Sequence, residues 1–141
     1  MVIKNMELEG YCRVFDKLLN SSKISDVKTQ YNIFKACKSL RAEMITLNEF
    51  RKTLEDKYFI VDNGIVRMDE NNQYPVMKDG MELIDYVSDL NRLMTQIIHI
   101  DFPKISITFD MLQPLVDDEL LVAKDFAVLE NFMPNLKEEE E

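Results

Sequence analysis

Residues 26–58 read DVKTQYNIFKACKSLRAEMITLNEFRKTLEDKY and contain neither glycine nor proline. Within them Ile33, Cys37, Leu40, Met44, Leu47, Arg51, Leu54 and Tyr58 recur at alternating steps of four and three. That spacing keeps side chains on one seam of a helix, the heptad pattern of a coiled coil. At 1.5 Å per residue the helix extends roughly 45–50 Å, too far for one small neighbour to cover. An equally long partner is therefore predicted. Leu83, Val87, Leu90, Met94 and Ile97 repeat the same step, which places a second helix at about 78–97. Two seams joined by a short connection pack antiparallel, knobs of one between residues of the other. Arg51 is a cation on the first seam, read as a side chain whose stem lies along apolar neighbours while its head reaches water.

Around this hairpin the chain carries smaller signals. An earlier helix is expected at about 7–20, with Tyr11, Val14, Phe15, Leu18 and Leu19 on one face, and Ser25 is the expected cap of the long helix. Phe59-Ile60-Val61 and Ile65-Val66 flank Asp62-Asn63-Gly64, which predicts a β-hairpin over about 59–67. Asp69 to Tyr74 reads as a connector ending at Pro75. A mixed lobe follows over 98–133. Its expected parts are a strand at His99–Phe102, an alternating Ile105-Ser106-Ile107, a helical turn before Pro114, a strand at Leu120–Val122, and a helix from Asp125 to Met133. The fold class is mainly α with minor β: a long antiparallel helical hairpin plus a small mixed C-terminal lobe, one domain over 1–136. Residues 137–141, Lys137 and four glutamates, are expected to be a disordered acidic tail.

A chain of 141 residues with 46% hydrophobic content is enough for one continuous core. Its formal charge of −9, four units of it from Glu138–Glu141, repels phosphate backbones and anionic lipid, so direct nucleic-acid or membrane binding is not expected. No basic, apolar and small-residue succession opens the chain, and no apolar run approaches the roughly 20 residues that span a bilayer. The expected location is the cytosol of the cell that makes it. Asn20-Ser21-Ser22 matches a glycosylation pattern without a secretory context to give it meaning. Cys12 and Cys37 each sit on an apolar stripe and read as buried free thiols rather than a redox pair.

Catalytic patterns are missing from the sequence. One histidine and two cysteines on different elements do not make a zinc site, and His99, between Ile98 and Ile100, reads as an ordinary strand histidine. Asp62, Asn63, Gly64, Asp69 and Glu70 lack the spacing of a calcium loop. Three glycines, at 10, 64 and 80, form no phosphate-cradling loop. No serine stands in a nucleophile elbow, and Asp117-Asp118 and Glu55-Asp56 read as solubilising surface acids. The expectation is a protein that is not an enzyme and carries no cofactor or metal. Most of the nine methionines fill expected core positions; Met77, Met81 and Met133 are the candidates for an exposed contact patch.

Taken together, several stretches carry a family resemblance. They are Ile3-Lys4-Asn5 before a helix ending in Leu18-Leu19, Val27 through Leu40, Glu49-Phe50-Arg51-Lys52-Thr53-Leu54 leading to Lys57-Tyr58, and Asp62-Asn63-Gly64. Leu90-Asn91-Arg92-Leu93-Met94 before Ile98–Phe102, and Asp125-Phe126-Ala127-Val128-Leu129-Glu130-Asn131-Phe132, continue it. Over most of its length the chain resembles a family of small proteins of unknown function from tailed phages and prophages of Gram-positive bacteria. It departs from that pattern in the turn Pro75–Gly80 and the poly-Glu tail. The resemblance implies a phage origin and transfers no catalytic residue.

Two functional readings follow. In the first, a phage-encoded interaction protein oligomerises or docks on a protein partner through its helical arm, as a minor virion component or an assembly factor. In the second, it inhibits a bacterial defence system, either by sequestering a signal molecule or by presenting Glu82, Asp85, Asp89 and neighbouring acids as an anionic stripe that mimics nucleic acid.

Overall fold

A computed structural model describes residues 1–133; the expected acidic tail at 137–141 lies outside the described residues. The chain is mainly helical. Helix α1 (Leu8–Asn20) follows a 3₁₀ turn at Asn5–Glu7, in which the Glu7 carboxylate accepts the Lys4 backbone N–H at 2.7 Å. Helix α2 (Val27–Tyr58) runs unbroken for 32 residues. Its cap is Asp26 rather than Ser25: the Asp26 carboxylate accepts the Thr29 N–H at 2.9 Å, one residue later than expected, because Asp26 is the last extended residue before the helix. The predicted seam is the buried one. Ile33, Cys37, Leu40, Leu47, Leu54 and Tyr58 are buried, and Met44 and Arg51 are half-buried among them.

The long seam is covered by two short helices instead of one long partner. Helix α1 packs along the N-terminal half of α2, where Cys12 lies against Leu40 and Asp16 pairs with Arg41 at 3.0 Å. Helix α3 (Leu83–Thr95) covers the far half, with Tyr86 and Leu93 against Leu54, Tyr58 and Phe59. The expected span 78–97 is thus shortened at both ends. Lys78–Met81 closes a turn with Gly80 at φ +77°, which stops helical geometry, and Ile97–His99 is drawn into a strand. The contact face shifts accordingly: Tyr86, Leu90, Leu93 and Met94 face inward, whereas Leu83, Val87 and Ile97 of the expected seam are exposed.

Strands β1 (Val2–Lys4) and β4 (Ile97–His99) pair antiparallel, Ile3 opposite Ile98, which ties the chain start to the foot of α3. The strand expected at 99–102 therefore starts two residues earlier. Strands β2 (Val61–Asp62) and β3 (Ile65–Val66) form the predicted hairpin, with Asn63 and Gly64 both at positive φ, as a two-residue turn of this hand requires. The segment 69–74 does more than connect. Asp69 donates its N–H to the Tyr74 carbonyl, and the returning chain bridges Met68 to Pro75 and Phe59 to Met77. The arm thus ends in a small three-segment β cluster.

In the C-terminal lobe Ile105 and Ile107 alternate inward, and Ile107 donates its N–H to the Phe132 carbonyl at 2.9 Å. Helix α4 (Phe109–Asp117), capped by Thr108, continues through Pro114, where a stop was expected; the bond lost there is one to the carbonyl of exposed Asp110. Leu120–Val122 is not the expected strand. Glu119 at φ +60° turns the chain so that Leu121 alone enters the core. A 3₁₀ turn at Ala123–Asp125, helix α5 (Phe126–Leu129) and a final turn at Glu130–Phe132 make up the helical segment predicted over 125–133. The core joins this lobe to α1 and α2 through Leu8, Val14, Phe15, Leu40, Leu112, Leu115 and Leu129. Phe15, Phe102 and Phe132 meet with ring centroids 5.1–5.2 Å apart. Each such side chain contributes about 1.5–3 kcal/mol by leaving water.

Candidate interaction surface

The arm end is built on a satellite cluster of Leu54, Tyr58 and Phe59, against which Val66, Met77, Tyr86 and Leu93 pack. The Tyr86 ring meets Phe59 at 4.5 Å and Tyr58 at 5.8 Å, both edge-on. The Tyr58 hydroxyl donates to the Asp89 carboxylate, which also lies 3.6 Å from the Lys57 ammonium. The Tyr58 hydrogen bond, aided by the nearby Lys57 charge, holds the Asp89 carboxyl below its usual range. These contacts fix α3 against α2.

Outside this cluster the arm end is apolar and acidic together. Ile65, Tyr74, Leu83, Ile84 and Val87 are exposed, Ile84 by 72% and Val87 by 54%. Residues 62–89 carry seven carboxylates against two cations, and Glu82 and Asp85 point to solvent at the start of α3. The predicted contact residues separate here. Met81 is exposed at the arm end, Met77 is half-buried in the satellite cluster, and Met133, at 5% exposure, is a core residue. The expected exposure of Met133 is corrected accordingly: it follows the last helical turn and packs with the lobe. Glu82, Asp85 and Asp89 do not form one free stripe, because Asp89 is turned inward to Tyr58 and Lys57.

A second surface was not anticipated. On the first half of α2, about 120° round the helix from the buried seam, Val27, Tyr31, Phe34 and Ile45 are exposed at helical spacing, Tyr31 by 59% and Phe34 by 44%. Between and beside them stand Lys28, Lys35, Lys38 and Arg41, and residues 27–42 contain no carboxylate. The Lys35 ammonium lies 5.3 Å from the Tyr31 ring centre and the Lys38 ammonium 5.8 Å from that of Phe34. The signal was present in the sequence as a second four-three series, 27, 31, 34, 38, 41 and 45. Its cations hid it from a reading that counted only apolar seams.

Two further groups have structural explanations. Asp125 is wholly buried and accepts from Lys17 at 2.8 Å, Arg13 at 3.4 Å and the Val122 N–H at 2.9 Å. Burial alone would raise its carboxyl; these donors outweigh that and lower it. Cys12 and Cys37 are free thiols, and burial pushes Cys37 up to about 11. Among the described residues no three metal-ligating side chains converge, and no helix is long and apolar enough to cross a membrane. No family model, curated protein or solved structure matches the chain.

Proposed function

We propose that this is a phage-encoded interaction protein that works without catalysis, oligomerising or docking through its helical arm as a minor virion component or assembly factor. The observation that carries the reading is the arm end, where large apolar side chains stand exposed beside a small aromatic cluster. Clustered exposed apolar surface rimmed by charge is the usual mark of a protein contact site. The phage assignment rests on the sequence resemblance, and the choice of the arm rests on its reach beyond the compact lobe. The inhibitor reading receives less support, since its anionic stripe is interrupted at Asp89.

Two measurements test this. Light scattering across a concentration series is expected to give a mass above that of one chain, or the protein is expected to co-purify with phage particles. A strictly monomeric protein absent from particles would remove the proposal.

A further inference from the structure

Resting on the interaction reading above, we infer that the partner of the arm end is a second copy of this chain, and that it docks on the basic aromatic stripe of α2. Three observations converge. The first is charge: the arm end is acidic, with Glu82 and Asp85 free at its surface, and the stripe carries Lys28, Lys35 and Lys38 with no carboxylate among residues 27–42. Asp26 stands beside Lys28 and Asp101 beside Lys35 and Lys38, so the stripe is a local excess of positive charge in a chain of net charge −9.

The second is apolar complementarity. Ile84 and Val87 on α3 and Tyr31, Phe34 and Ile45 on α2 are all exposed side chains lacking cover from their own chain. From Val27 to Ile45 the stripe is about 27 Å long, and the thirteen residues of α3 span about 20 Å, so one helix lies along the other.

The third is reach. Ile45, the near end of the stripe, and Tyr58 are 13 residues apart on one unbroken helix, about 20 Å, and Phe34 lies about 36 Å from Tyr58. An arm end held that far away never meets its own stripe. The contact is between copies, and because its two faces differ it is head-to-tail: it closes into a ring or continues as a chain. The acidic face of each copy screens the other's lysines, which also favours this occupant over nucleic acid, whose phosphates the overall charge repels.

The test uses two variants of the full chain. Lys35→Glu with Lys38→Glu reverses the stripe, and Glu82→Lys with Asp85→Lys reverses the arm end. All four side chains are exposed, and circular dichroism checks that each variant folds; Phe34→Ser is the second stripe variant should the charge reversal unfold. Each variant alone is expected to sediment as a monomer where the wild type associates, and association of the wild type is expected to weaken at least tenfold between 0.05 and 0.5 M salt, figures of the order expected for a screened charged contact. Mixed together, the two are expected to recover association, since the intact acidic arm end of one meets the intact stripe of the other and the two reversed faces are again opposite in sign. Variants that still associate like the wild type overturn the head-to-tail contact while leaving oligomerisation standing. A wild type that stays monomeric but shifts a labelled single-stranded oligonucleotide, with the shift lost in the stripe variant, overturns it in favour of nucleic acid.

Discussion

Asp125 is fully buried yet charged, and its environment predicts how the protein responds to acid. Its carboxyl is lowered in the folded state, so its contribution is fully present above the unfolded value near 4 and is lost as pH falls through the lower folded value. Asp125→Asn is expected to lower stability at pH 7 by about 2 kcal/mol, discounted because Lys17 and Arg13 are about a third exposed. Urea titrations should show the variant and wild type converging below pH 4; a constant gap at every pH would contradict this account. The thiols give a second test. With Cys37 pushed up to about 11 by burial, it is expected to react with a thiol reagent at pH 8 roughly a hundredfold more slowly than in urea, and half-buried Cys12, also raised by burial, is expected to be slowed less. Rapid modification of the native protein would sink that expectation. At this scale the sequence was only partly legible. Cys12 and Cys37 declared themselves by their place on apolar stripes. Asp125 did not, because nothing local to it announces Arg13 and Lys17, which are more than a hundred residues away.

Among the elements, the β2–β3 turn depends most directly on one residue type. Gly64 sits at φ +80° with open space around its α-carbon, so Gly64→Ala is disfavoured by backbone geometry alone, about 1 kcal/mol, readable as a lower urea midpoint. Equal stability of the variant would show that the turn adopts another geometry. The extent of α2 was readable because the four-three spacing holds without a break from Ile33 to Tyr58, over which local ambiguity averages out. Helix α3 was misplaced at its start because Met77-Lys78-Asp79-Gly80-Met81 continues the apolar count while Gly80 bends the backbone away. Strand β1 was missed for a different reason: three residues carry too little alternation, and the strand exists through its pairing with residues 97–99. The same holds for α4, whose passage through Pro114 is decided by Leu112 and Leu115 entering the core. Of the two exposed surfaces, the acidic arm end was read from the sequence, whereas the basic stripe, present as the series 27, 31, 34, 38, 41 and 45, was masked by its cations.

Across the whole molecule, packing is uneven. The lobe, α1 and the first half of α2 share one large core, whereas the arm end depends on three buried residues and a few half-buried ones. Local opening is therefore expected to be easier at the arm end. Hydrogen exchange should be faster for residues 83–90 than for 33–40 by at least tenfold, and association through the arm end should slow it. The reverse order of protection would mean that the arm is the more stable unit. The uninterrupted α2 has one more consequence, which is metric. A helix of constant pitch converts residue count into both distance and bearing, at 1.5 Å and 100° per residue. Seven residues added to each of α2 and α3 would carry the arm end outward by about 10 Å and rotate it by only about 20°, whereas five added to each would swing it through roughly 140°. Evolution can thus lengthen this ruler in heptads without turning its pointer, and any assembly that reads the pointer tolerates changes of span far better than changes of phase.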